Sequence, residues 1–271
     1  MTAVRLPALG GKTYEPTRAT LHAYAGAVGA IPRAHAVAHP KWWHAALAVR
    51  PEGLVTGPIP LPDGGSLAIR MDLVEHRIVV RSSRGAEDGI DLRAGLTGTE
   101  VGDRIIELAA AHGLDGGYDR ARFEDDSPGQ YDPPAASALF DAFVAAQGVF
   151  ERHRVGLGLR VSPINLWPHG FDLAFEWFGT RTVSSEGEES PAQINLGFYP
   201  EGDPYFYSNP WPFDERLLDV PLPHGARWTT DGFRGSMLPY ASLAGDPGAG
   251  GKLLAYARSV HEAAAPLLMD S

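Results

Sequence analysis

Histidine and carboxylate side chains at even spacing are the residues of this chain best suited to chemistry. In 71–80, alternation sets Asp72, Val74, His76, Ile78 and Val80 on one face of a strand. An aspartate and a histidine on an otherwise apolar face need partners. In 171–177 the same alternation places Asp172, Ala174 and Glu176 opposite Phe171, Leu173, Phe175 and Trp177. His44 and His169 stand at matching places, each after a tryptophan and before a strand. Histidine with carboxylates is the inventory of general acid–base catalysis near neutral pH. The pattern therefore casts His76, with an ordinary pKa of ~6.5, as the proton carrier. Asp72 would fix its tautomer, and Asp172 or Glu176 would be the opposite acid–base partner, all facing one cleft between two halves. Each pair also reads as a purely structural one. His35, His39 and His44 with His76 could gather a metal, but the sequence assigns neither a metal site nor a cofactor. The aromatic run Phe198, Tyr199, Tyr205, Phe206, Tyr207, Trp211 and Phe213 reads either as core or as a ligand wall. On the second reading Tyr199, Tyr205, Tyr207 and Trp211, with His44 and His169, bind the ligand.

Other chemistries drop out. The 271 residues contain no cysteine, which removes disulfides, thiolate catalysis and cysteine-ligated metals. Gly248-Ala249-Gly250-Gly251-Lys252 lacks the Gly and the Ser or Thr that a phosphate loop needs, having Asp246 and Leu253 there. His261-Glu262 has no second histidine at zincin spacing, Ser236 is not in a nucleophile elbow, and no dinucleotide fingerprint occurs. With 33 acidic against 23 basic residues the formal charge is -10, so nucleic acid is not an expected partner. No apolar run is long enough to cross a membrane, and the first residues do not resemble a signal peptide. The expectation is a cytoplasmic, cofactor-independent enzyme acting on a small organic molecule, of isomerase, cyclase or hydrolase type. The alternative is a small-molecule binding protein without chemistry. The oligomeric state is not legible.

The elements that must position these residues follow from periodicity and breakers. Leu21, Tyr24, Ala25, Val28 and Ile31 mark a helix capped by Thr17 and ended by Pro32. Strands are expected at 42–49, 54–59, 66–72, 74–81 and 89–92, then a helix from the cap Thr99 to Gly113. Residues 115–134 read as a linker. A helix over 135–153 precedes strands at 155–161, 171–178, 194–199 and 205–208, with a solvated loop at 182–191 that carries Glu186. A last helix covers 252–268. The fold class is α+β: two helix–antiparallel-sheet–helix halves, 17–114 and 135–271, after an extension at 1–16, forming one compact body. The halves echo each other, 42–49 matching 167–175 and 54–60 matching 194–200, which suggests an internal duplication.

Trp42-Trp43-His44, Thr56-Gly57-Pro58-Ile59-Pro60, Met71-Asp72-Leu73-Val74-Glu75-His76, Ser162-Pro163, Phe171-Asp172-Leu173-Ala174, Gly197-Phe198-Tyr199-Pro200 and Leu238-Pro239-Tyr240 occur in this order. No one of them is specific. As an ordered set, over about 16–268, the chain resembles the bacterial family catalogued as domain of unknown function 5996. The resemblance implies a stand-alone bacterial protein and brings no established activity. It also implies a His-Glu pair shortly before Gly197, where this chain has Pro191-Ala192. A site built on that pair is not expected here.

Overall fold

The computed structural model describes residues 4–185 and 187–270. Residues 1–3 of the expected extension and Glu186 of the expected loop lie outside the described residues. The chain divides into two units, each assembled from separate stretches. The first is Leu9–Phe140 with Asn165–Asp172, and the second is Met1–Ala8 with Asp141–Ile164 and Leu173–Ser271.

The first unit begins with helix α1, Tyr14–His35. Pro16 sits in its first turn, where a missing N–H leaves no bond unmade. Thr17 is therefore inside the helix and caps nothing. Its hydroxyl accepts the Asp132 N–H at 3.0 Å, and that of Thr20 accepts the Gln130 N–H at 2.8 Å. These bonds hold the 115–134 stretch on α1, so it belongs to this unit. Pro32 does not end the helix either, because in the last turn it removes a single bond, and its carbonyl accepts the Ala36 N–H at 2.9 Å. Leu21, Tyr24, Val28 and Ile31 are buried as their spacing requires, each contributing ~1.5–3 kcal/mol.

After α1, Trp43–Ala45 forms a 3-10 turn in place of the expected strand start. The strands are β1 Leu47–Arg50, β2 Gly53–Thr56, β3 Ile59–Pro60, β4 Ser66–Asp72, β5 Arg77–Ser82 and β6 Glu87–Asp91. Helix α2, Gly98–Ala110, starts from a reciprocal cap that is two residues earlier than Thr99. The Thr97 hydroxyl accepts the Glu100 N–H at 3.1 Å, and the Glu100 carboxylate accepts the Thr97 N–H at 2.8 Å, an arrangement worth ~1 kcal/mol. Helix α3, Pro133–Val155, follows, belonging to this unit as far as Phe140 and to the second from Asp141, and the first unit resumes with β7, Asn165–Trp167. The strands run in the order β7-β1-β2-β4-β5-β6, all antiparallel, with β3 beside β4. Short connections make antiparallel neighbours the available pairing.

The second unit holds β8 Asp172–Ser185 from Leu173 on, β9 Glu188–Tyr199, β10 Tyr205–Trp211, β11 Arg227–Thr229, β12 Gly235–Pro239 and helix α4 Ala249–Ala264. Its order is β8-β9-β10-β12-β11, again antiparallel. Much of the expected loop at 182–191 is ladder, with Thr182 opposite Pro191 and Ser184 opposite Glu189. The expected strand at 155–161 reduces to a bridge between Val161 and Trp177. Phe143 and Phe150 of α3 meet Phe198 and Phe206 of the sheet at ring separations of 5.6 and 6.3 Å, and Leu253, Tyr256 and Val260 of α4 are buried as well.

The protein is thus α+β with antiparallel sheets. The echoed segments occupy matching places: 42–49 leads into and forms β1, and 167–175 leads into β8. The order agrees for the first two strands, after which β3 lies off the path beside β4. The order then diverges further, since β12 inserts between β10 and β11. The expected internal duplication is not confirmed.

Candidate functional site

A stripe on α1 lays the floor of a cavity in the first unit. His22, Gly26, Gly29 and Arg33 recur at helical spacing, so they stand on one face. The two glycines are buried and let other segments approach the helix axis. A Cβ at Gly26 would collide with the Arg122 carbonyl, and one at Gly29 would lie 2.7 Å from the Pro168 ring. The 3-10 turn Arg120–Arg122 and the segment 167–169 therefore close on α1 from two sides, and Lys41, Trp42 and Ala45 complete the wall. The open-sided space between them is about 750 Å³, within the ~300–1,000 Å³ usual for small-molecule sites. All its lining residues lie in the first unit.

The lining is basic and flat-walled. It carries Arg33, Lys41 and Arg122, with His22 and His169, and no Asp or Glu among the described residues. The Arg33 guanidinium lies 4.3 Å over the Trp42 ring. Arg33 has no hydrogen bond or ion pair to a described residue, whereas Arg122 Nε donates to Asp119 at 2.7 Å. Trp42 holds a left-handed backbone, φ 59°, and is half exposed. A bulky residue held there stores backbone strain, which persists where the surrounding structure imposes it. His22 Nε2 meets the His169 carbonyl at 3.2 Å, so that nitrogen carries the proton, and Nδ1 faces the Arg18 guanidinium at 3.4 Å. The ring also stacks on Phe171, whose φ is 49°.

His44 stands behind this wall, stacked on Trp42 at 5.5 Å. Burial first, then the charges of Arg33 and His39, push its pKa below the ordinary histidine value. Its Nδ1 accepts the His39 N–H at 3.0 Å, which leaves the proton on Nε2 of the neutral ring. His169 is at the cavity itself.

The residues expected to carry acid–base chemistry sit elsewhere. Asp72 and His76 do not share a strand face, because 73–76 is the turn between β4 and β5. The Asp72 carboxylate accepts the Val74 and Glu75 N–H groups at 3.2 and 2.9 Å and pairs with Arg70 at 3.0 Å. An aspartate bonded to the backbone two and three residues on makes a turn and breaks alternation. His76 closes that turn at φ 57°, with Nδ1 2.8 Å from the Tyr131 hydroxyl. Asp172 and Glu176 keep one parity on β8. The Glu176 main chain exchanges bonds with Ser162 at 2.9 Å. Glu176 lies in the second unit and Asp172 in the first. His35 bonds Tyr118 at 2.9 Å, His39 stacks on Trp43 at 4.2 Å, and among the described residues no group of three or more His, Cys, Asp or Glu is placed to hold a metal ion.

The aromatic run splits by parity. Phe198 and Phe206 enter the second unit's core, whereas Tyr199, Tyr205 and Tyr207 stand on the other sheet face, half buried. Tyr199 and Tyr205 are cross-strand partners with rings 5.4 Å apart, and Tyr199 donates to Glu201 at 2.6 Å. Trp211 ends β10 opposite Gln193. None of the four lines the basic cavity. The residues that sequence reasoning missed are His22, Arg33, Lys41, Trp42, Arg122 and Trp167. One signal was there: the His-x3-Gly-x2-Gly-x3-Arg stripe of α1. Among the described residues no helix is long and apolar enough to cross a membrane.

A family model described as a family of unknown function, DUF5996, matches residues 6–269. No curated protein and no solved structure matches the chain.

Proposed function

The chain belongs to the family of unknown function DUF5996, a membership that carries no activity, and we propose from the cavity that it binds a small organic molecule between α1, the Arg120–Arg122 turn and the Trp167-containing segment. The observation that carries this reading is the built floor: Gly26 and Gly29 admit the two flanking segments while leaving a cavity of about 750 Å³. What favours binding over acid–base catalysis is the lining. A carboxylate partner for a histidine is missing among its described residues, and both nitrogens of His22 are engaged. Catalysis by His76 with Asp72, Asp172 or Glu176 is the second reading. Its support is limited to the shared parity of Asp172 and Glu176 on β8.

Thermal unfolding in the presence of a library of small metabolites tests the proposal. A ligand at about a hundred times its Kd stabilises by ~2.7 kcal/mol, so binders raise Tm measurably. Trp42→Ala, on an exposed wall residue, is expected to abolish the shift while leaving the unliganded Tm nearly unchanged. A shift that persists in Trp42→Ala and is lost in His76→Ala would transfer the function to the acid–base residues.

A further inference from the structure

The cavity's own chemistry narrows its ligand. We propose that the site takes an organic anion: a planar ring system bearing a carboxylate or phosphate, with the acid group between Arg33, Lys41 and Arg122 and the ring against Trp167. This rests on the binding reading above and adds the ligand class.

The argument begins with charge. In a protein of formal charge -10, three cationic side chains around one cavity without an acidic neighbour in the lining are a local reversal of sign. Like charges drawn together repel, and a low-dielectric wall focuses their field on the space between them. An incoming anion relieves that repulsion. Arg122 already shares its charge with Asp119. Arg33 has no such partner among the described residues, and its position 4.3 Å over the Trp42 ring restrains the side chain. A guanidinium so held offers a preset fork of N–H donors, the geometry that matches two oxygens of a carboxylate or phosphate.

The apolar half of the ligand follows from the rings. Trp167 lines the same space as Arg33, Lys41 and Arg122, while the Trp42 ring is taken by the Arg33 guanidinium. An indole favours a flat body that stacks on it.

The test uses matched pairs of probes with the full-length protein, read by tryptophan fluorescence and calorimetry. Indole-3-carboxylate is compared with indole-3-carboxamide, phenyl phosphate with phenol, and inorganic phosphate is added alone. The acids are expected to bind at least about tenfold more tightly than their neutral partners and to weaken as salt is raised. Arg33→Gln should lose about tenfold or more of the acid's affinity with Tm unchanged or raised, and Arg33→Lys should keep part of it. Lys41→Gln provides a second variant should Arg33→Gln fold poorly. Tighter binding of phenyl phosphate identifies a phosphate ligand, and tighter binding of indole-3-carboxylate a carboxylate; either supports the proposal. Neutral partners that bind as well as the acids overturn the anion assignment and leave the cavity a binding site. Silence of every probe up to about 10 mM, a concentration that would reveal even millimolar affinity, overturns both.

Discussion

His153 of α3 is 6% exposed, with its ring 5.9 Å from that of His261 and 6.2 Å from that of Phe175. Burial first, then the nearby His261 and Arg258, hold its pKa at about 4 against the ordinary 6.5. Because the folded value lies below the unfolded one, the neutral ring costs nothing above pH ~6.5. Stability then falls as the unfolded chain takes up the proton, and the loss is complete near the folded value of about 4. The accumulated penalty is ~3 kcal/mol. Denaturant unfolding at a series of pH values should show this slope, and His153→Phe should flatten it; an equal slope in the variant would place the titration elsewhere. Nothing in the His153 neighbourhood was legible from spacing beyond its place on a helix, since the groups that shift it are distant in sequence. Asp72 gives the opposite lesson. Its even spacing from His76 was legible and misleading, because the Asp72 carboxylate binds the next backbone N–H groups and turns the chain.

At the scale of elements, α1 is both a core helix and the cavity floor. Its buried side, Leu21, Tyr24, Val28 and Ile31, was readable as a 3.6-residue period. Its other stripe was equally present in the sequence, but glycine carries no hydrophobic signal, and the need for Gly26 and Gly29 arises only when another segment presses on them. Gly29→Ala tests this. The new methyl would lie 2.7 Å from the Pro168 ring, a rigid group that must shift. Overpacking of this kind costs ~1–3 kcal/mol, although alanine in a free helix would stabilise it by ~1 kcal/mol. Chemical denaturation should therefore show net destabilisation. A stabilised variant would mean that the 167–169 segment does not pack as described.

Each unit of the molecule draws on non-contiguous chain. Leu6 is buried in the second unit, its carbonyl accepts the Gly245 N–H at 2.9 Å, and the Pro7 carbonyl accepts the Tyr240 hydroxyl at 2.8 Å. The fragment 135–271 lacks these contacts. It is expected to lose cooperative unfolding, measured by circular dichroism against the full chain; a cooperative transition in the fragment would make it an independent domain. By itself the sequence determined the α+β class, the antiparallel pairing imposed by short connections, the period that buries Leu21, Tyr24, Val28 and Ile31, and the exclusion of cysteine chemistry. Those properties depend on neighbours within a few residues or on composition alone. Only the tertiary structure decided that Arg33, Lys41, Arg122 and Trp167 share one cavity, and that Asp72 and His76 belong to a turn. Such gatherings depend on which distant segment closes on which helix, and that is settled by side-chain packing, as at Gly29 and Pro168, which local periodicity does not encode.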